Sequence, residues 1–261
     1  MGTITKSLNL LNYFSVTRPE IGLSEFRALC KQDKATIYRH LTELQANGFV
    51  EQDPVTKSYR MGPAVLRLAN VRERTFPARR AVAPIVTEMS GRLGELVHVS
   101  LLQGDVLSPL FHADVKMHGT RVYFDEAEVL PLHATSSGYT ILAFGDNGLA
   151  DAYLRKPLTR YTAKTLTDPE ALRAVVAETR RTGFGMCDQG FEDEVYSLAA
   201  PLFDRNVRTV GTIAVALPTS RVSPQSVTDI KAALKDGSRQ ASRALGGDVA
   251  PELERIWNDA V

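Results

Sequence analysis

Between Lys34 and Thr42 the chain reads Lys-Ala-Thr-Ile-Tyr-Arg-His-Leu-Thr. Ile37, Leu41 and Leu44 recur at i, i+4 and i+7, which predicts a helix with an apolar inner face. Lys34, Thr36, Tyr38, Arg39, His40 and Thr42 are then assigned to its other face, with cations concentrated near its start. Lysine, arginine and threonine hold phosphate oxygens or bond to base edges, so the chemistry on offer is recognition of a DNA duplex.

A second segment, Leu130-Pro-Leu-His-Ala-Thr-Ser-Ser-Gly-Tyr139, leads into an apolar helix. Thr135 or Ser136 is placed to cap that helix, and the N–H groups that follow face outward without intrahelical partners. Such a terminus favours an anion, because the backbone donors and the helix dipole act together. Covalent chemistry finds less support. There is no G-x-S-x-G turn, no H-E-x-x-H pair and no G-x-x-x-x-G-K-[ST] run, although His112, His118 or His133 could meet an acidic partner at a zinc site in space. No metal, cofactor or catalytic residue is assigned.

The elements that must position these groups follow from local pattern. Ile4, Leu8, Leu11 and Phe14 form the stripe of a first helix, which Arg18-Pro19-Glu20 ends. Ser24 is placed to cap a short second helix reaching about Cys30, and Lys31-Gln32-Asp33 is a tight turn, with Asp33 capping the helix at Lys34. Asn47-Gly48 stops that helix. Phe49–Glu51 and Ser58–Met61 read as a hairpin tipped by Lys57, a wing beside the recognition helix. Helices are expected from Pro63 to Arg74, with Val65, Leu68, Ala69 and Arg72 spaced to pack against something, and from Ala78 to Leu93. Beyond them, strands are expected at 97–101, 106–115, 195–203 and 209–217. Helices are expected at 136–144, 149–154, 169–182 and 224–245, giving an α+β body.

Charge is divided along the chain. Residues 1–82 carry 13 Lys and Arg against 7 Asp and Glu, and the remainder carries 18 against 23, so a head of +6 precedes a body of −5. A basic head suits a polyanion. With 44% hydrophobic residues and no long apolar run, the chain reads as globular rather than disordered or membrane-spanning. Two distant cysteines, Cys30 and Cys187, fit a reducing cytoplasm, and no secretory signal is visible.

The runs Thr5-Lys6-Ser7-Leu8, Gly22-Leu23-Ser24-Glu25, Lys34 to Leu44, Gly48-Phe49-Val50 and Tyr59-Arg60-Met61-Gly62 resemble the winged helix of IclR-family transcriptional regulators. Phe26-Arg27 departs from the family's usual Ile-Ala pair. Leu130–Gly138 and the stretch from Gly183 to Pro201 resemble that family's GAF-like effector-binding domain, so the resemblance spans Thr5 to Ala244. It implies a winged helix-turn-helix DNA-binding domain at 1–62, a helical linker at 63–78, a GAF-like effector-binding domain at 79–247 and a C-terminal tail at 248–261. It also implies DNA contacts from Lys6, Ser24, Lys34, Ala35, Thr36, Tyr38, Arg39, His40, Thr42 and Lys57.

For the effector, a small organic acid, the resemblance implies Thr135, Ser136, Ser137, Gly138, Tyr139, Cys187, Asp188, Ser197, Ala214 and Ala216, with Ser136 and Ser137 offering N–H groups to a carboxylate. Cys187 stands where an acidic residue is usual, Gln189-Gly190 replaces a Glu pair and Tyr139 replaces a lysine. Ala214 and Ala216 stand where relatives resembling glyoxylate or pyruvate binders have serines. Those losses point to a larger, partly aromatic carboxylate. One winged head covers one half-site, so a homodimer is the minimum, and the family implies homotetramers. The alternatives are a constitutive DNA-binding oligomer, or a small-acid enzyme fused to a DNA-binding head.

Overall fold

A computed structural model describes residues 2–126 and 128–259. The chain forms two compact units, Met1–Pro77 and Ala78–Val261.

The first unit contains α1 (Thr3–Asn9), β1 (Glu20–Ile21), α2 (Leu23–Cys30), α3 (Lys34–Ala46), β2 (Val50–Gln52), β3 (Tyr59–Met61) and α4 (Pro63–Thr75). Its core gathers Leu10, Phe14, Ile21, Phe26, Ile37, Leu41, Leu44, Val50 and Tyr59. Phe26 sits at the centre, with the rings of Phe14, Tyr13 and Tyr59 edge-on to it at 5.7, 6.3 and 6.4 Å. A buried aromatic here is what the departure from the family's Ile-Ala pair provides. The first stripe differs from expectation. Helix α1 stops at Asn9 and a 3-10 turn at Leu11–Tyr13 follows, whose tighter winding turns Leu10 and Phe14 inward. Ile4 (76% exposed) and Leu8 (46%) stay in solvent.

Gly22, not Ser24, precedes α2, so Ser24 lies inside the first turn and caps nothing. Asp33 does cap α3, its Oδ1 accepting the Thr36 N–H at 2.8 Å. The wing is a three-stranded antiparallel sheet in the order β1-β3-β2, with the unanticipated β1 pairing Glu20 to Arg60. At its tip Asp53 Oδ1 accepts the N–H groups of Val55 and Thr56. Helix α4 buries none of its residues, and Leu66, Leu68 and Val71 are exposed.

The second unit runs α5 (Ala78–Leu93), β4 (Leu96–Gln103), β5 (Val106–Ala113), β6 (Leu130–Pro131), α6 (Ser136–Phe144), α7 (Leu149–Leu154), α8 (Pro169–Thr182), β7 (Gly185–Asp188), β8 (Val195–Phe203), β9 (Thr209–Pro218), α9 (Pro224–Ala244) and α10 (Pro251–Asp259). Six antiparallel strands lie in the order β6-β5-β4-β9-β8-β7. The pleat divides their residues between two cores. Val97, Val99, Leu198, Ile213 and Val215 pack with α5, α9 and α10, whereas Leu107, Leu130, Ile141, Leu142 and Leu172 pack among α6, α7 and α8.

The segment 248–261, expected as a tail, instead carries α10, whose amphipathic period buries Leu253 and Trp257; its last two residues lie outside the described part. Arg239 pairs with Glu254, and Lys235 donates to the Trp257 carbonyl, fastening α10 to α9. Gly183 ends α8 in the left-handed region (φ 81), and a Cβ there would come within 2.3 Å of the Trp257 indole nitrogen.

Candidate DNA-reading face and effector cavity

On α3 the inner residues are Ile37, His40, Leu41 and Leu44. That leaves Ala35, Tyr38, Arg39 and Thr42 as an outward stripe at i, i+3, i+4 and i+7, with Lys34 exposed at the helix start. Lys6, Ser24 and Lys57 are exposed and Thr36 half-buried. Among the described residues none of Lys6, Lys34, Arg39 and Lys57 has an acidic partner, in contrast to Arg18 beside Glu25 and Arg60 held by Glu51 and Glu20. Exposed cations without acidic partners are available to phosphates. The Thr42 hydroxyl donates to the Tyr38 carbonyl at 2.9 Å, so only its oxygen lone pairs remain for a partner.

His40 corrects the sequence reading. It is 2% exposed and belongs to the inner face, one turn after Ile37. Burial, then the nearby positive charges of Arg39 and Lys6, holds its imidazole below the ordinary histidine range, and its Nδ1 has no partner. A neutral, buried ring cannot hold a phosphate.

In the second unit the N-terminus of α6 opens on a cavity of about 60 Å³. Thr135 caps the helix, its Oγ1 accepting the Gly138 N–H at 2.9 Å, while the Tyr139 N–H goes to the Thr135 carbonyl. Ser136 and Ser137 therefore supply the free first-turn N–H groups. Ser137 is 1% exposed and its Oγ is buried without a hydrogen-bond partner, a costly condition that a ligand atom would relieve.

Sheet register builds the opposite wall. Leu96 faces Ala216, Ala216 faces Ser197 and Ser197 faces Cys187, a single rung crossing β4, β9, β8 and β7, and all four residues line the cavity. Phe124 and Phe191 add aromatic surface. His98 stacks on Phe124 at 4.5 Å with Nδ1 3.3 Å from the Ser100 hydroxyl, and burial drives its pKa down to about 3. Cys187 is a buried thiol 3.2 Å from the Ala134 carbonyl, and burial raises its pKa, so it is neither thiolate nor nucleophile.

Residues 3–54 match the family model described as the IclR helix-turn-helix domain, and residues 74–243 match that of the bacterial transcriptional regulator IclR C-terminal domain. The chain belongs to the IclR family. Within this family of DNA-binding transcriptional regulators, the chain is similar to an IclR regulator of Silicibacter sp. TM1040 of known crystal structure, at 45% identity over 96% of this chain and 99% of that one, with a TM-score of 0.87. It is 26% identical to the transcriptional regulator XynR of Escherichia coli (strain K12) over 94% of this chain and 97% of that protein. Its fold also matches an IclR homologue from Microbacterium hydrocarbonoxydans complexed with 4-hydroxybenzoate, at 23% identity, 93% and 100% coverage and a TM-score of 0.70.

Of the cavity residues named from sequence, Thr135, Ser136, Ser137, Cys187, Ser197 and Ala216 line this IclR chain's cavity. Gly138, Tyr139, Asp188 and Ala214 do not. Gly138 packs on the backbone of Leu132, where a Cβ would meet Cα at 2.4 Å. Tyr139 lies behind Cys187, its hydroxyl 3.7 Å from the thiol. Asp188 follows Cys187 on the strand, is exposed and pairs with Lys164 at 2.7 Å. Ala214 is one rung further in, opposite Ala199, whose carbonyl is 3.3 Å from the Thr140 hydroxyl of α6, so the helix covers that rung.

Sequence reasoning missed Leu96, His98, Tyr123, Phe124, Glu128, Phe191 and Glu192. Only the alternation of His98 with Val97 and Val99 carried any signal for them. Of the histidines weighed as zinc ligands, His112 has its Nδ1 2.9 Å from Glu126, and His133 bonds the Tyr153 hydroxyl and the Thr159 carbonyl. No group of three metal-ligating side chains occurs among the described residues, and no described helix is long and apolar enough to cross a membrane.

Proposed function

We propose that this chain is a cytoplasmic transcriptional regulator whose affinity for a double-stranded operator is set by a small organic carboxylate bound at the N-terminus of α6, and that it has no catalytic role. The orphaned Ser137 hydroxyl beside two free N–H groups, inside a largely apolar cavity, carries the reading. Contacts to DNA are assigned to Lys6, Ser24, Lys34, Ala35, Thr36, Tyr38, Arg39, Thr42 and Lys57. One such head reads one half-site, so the active form is a homodimer or a pair of dimers. The exposed Leu66, Leu68 and Val71 of α4 favour self-association, because apolar side chains clustered in solvent gain by being covered.

Phe124, Phe191 and Leu96 suit an apolar or aromatic part of the effector. Two of the substitutions that suggested an aromatic acid, Tyr139 and Ala214, lie outside the cavity, and about 60 Å³ is less than the ~150 Å³ that accommodates a benzene ring. A benzoate-class ligand would therefore have to enlarge the site.

The test couples two measurements on the full chain. A carboxylate that raises the thermal midpoint of the second unit must also change operator affinity, and Ser137→Ala must weaken both effects about tenfold in ligand concentration. Operator binding that ignores every stabilising acid would make the chain a constitutive binder, and conversion of the acid would make it an enzyme.

A further inference from the structure

The cavity lining has the wrong charge for a simple anion. Asp125, Glu128 and Glu192 line the same cavity, and no lysine or arginine does. The histidine in the wall, His98, is held neutral by burial. Among the described residues Glu128 and Glu192 have no ion-pair partner, whereas the neighbouring Glu126 is held by Arg79 and His112, and Asp188 by Lys164. Burial and mutual repulsion raise both carboxyls: Asp125 adds to the effect on Glu128, and Glu128 to that on Glu192. A carboxylate ligand alone would place a further negative charge beside these carboxyls, at a Coulomb cost.

Aromatic side chains in the same lining would offset that cost. Phe124, Phe191 and Tyr123 line the cavity with the carboxylates. Aromatic faces attract cations, and methylated ammonium groups above all, because the methyls bury against apolar surface while the ring quadrupole meets the charge. At the α6 terminus, the unsatisfied Ser137 hydroxyl and the free N–H groups of Ser136 and Ser137 still call for an acceptor.

We infer that the effector is a small zwitterion, its carboxylate on the α6 terminus and its alkylated ammonium among Phe124, Phe191, Glu128 and Glu192. The inference rests on the effector reading above and adds the positive end to it.

The experiment is isothermal titration of the full chain with trimethylammonio-carboxylates having one to three methylenes between the charges. Each is paired with its neutral-headed isostere, beginning with glycine betaine against 3,3-dimethylbutanoate, which has the same shape and carboxylate but no cation. The primary amino acids of the same spacings and benzoate complete the panel. At least one zwitterion is expected to bind at least tenfold more tightly than its isostere. Glu192→Gln is expected to shrink that ratio about threefold or more, with the thermal midpoint of the unliganded protein unchanged or raised, since burial and Glu128 disfavour the ionised carboxyl in the folded state. Tighter binding by primary amino acids than by their trimethylated forms would keep the zwitterion and reject alkylation. Isosteres or benzoate binding as well as the zwitterions would overturn the inference and leave the carboxylate reading standing. No binding by any member of the panel would overturn both.

Discussion

His98 offers a sharp test of how the cavity wall is built. Its ring is stacked on Phe124 and buried, and burial, with a smaller contribution from His112, lowers its pKa to about 3. In the unfolded chain the same imidazole titrates near 6.5. A group with a depressed folded pKa favours the native state while both forms are neutral. As pH falls below 6.5 the unfolded chain takes up a proton that the folded chain refuses, so stability is lost until the folded pKa is reached. Between pH 7 and pH 4 the span is about 2.5 pH units, or about 3 kcal/mol at 1.36 kcal/mol per unit. Trp257, the only tryptophan, is buried in the same unit and reports its unfolding by fluorescence. Urea titrations should show the natural chain losing about 3 kcal/mol more than His98→Asn over that interval. Parallel losses in the two proteins would mean that His98 protonates normally in the native state, and the burial of its ring against Phe124 would be wrong.

Arg39→Ala should lower operator affinity by 1–3 kcal/mol if the guanidinium reads a base, or reduce the salt slope by about 1 if it holds a phosphate, with the melting temperature unchanged. Electrophoretic mobility shifts over a salt series distinguish the two, and equal loss of folding would show that the side chain packs inward. Gly138→Ala should destabilise the second unit by ~3 kcal/mol or more, since the new methyl would meet Leu132 backbone at 2.4 Å; an unchanged thermal midpoint would disprove that packing.

The head was legible wherever local physics decides. Asp33, the i, i+4, i+7 spacing of Ile37, Leu41 and Leu44, and Asn47-Gly48 set α3 to its observed limits. His40 was misjudged because a polar type was read as an exposed one; its position three after Ile37 is an inner position whatever its chemistry. The exposed Ile4 and Leu8 reflect a change of helical winding after Asn9 that apolar spacing does not reveal. In the body, α6, α7 and α8 were found at their observed limits, but β6 and β7 are too short to show an alternation. Half of the cavity escaped notice because Phe124, Glu128 and Glu192 reach it from loops, where position depends on tertiary contacts. Family motifs covered the α6 terminus well and could not separate Cys187, which lines the cavity, from Tyr139 behind it.

Strand β4 belongs to two compartments at once. Leu96 and His98 face the cavity, while Val97 and Val99 share a core with Val82 and Val86 of α5. A pleated ribbon is covalently continuous, so a guest that pushes its even-numbered side chains outward drives the odd-numbered ones against α5, and close-packed interiors transmit such strain rather than absorb it. If the proposed effector occupies the cavity, its presence on one side of the sheet becomes mechanically legible on the other, with a β-strand as the messenger.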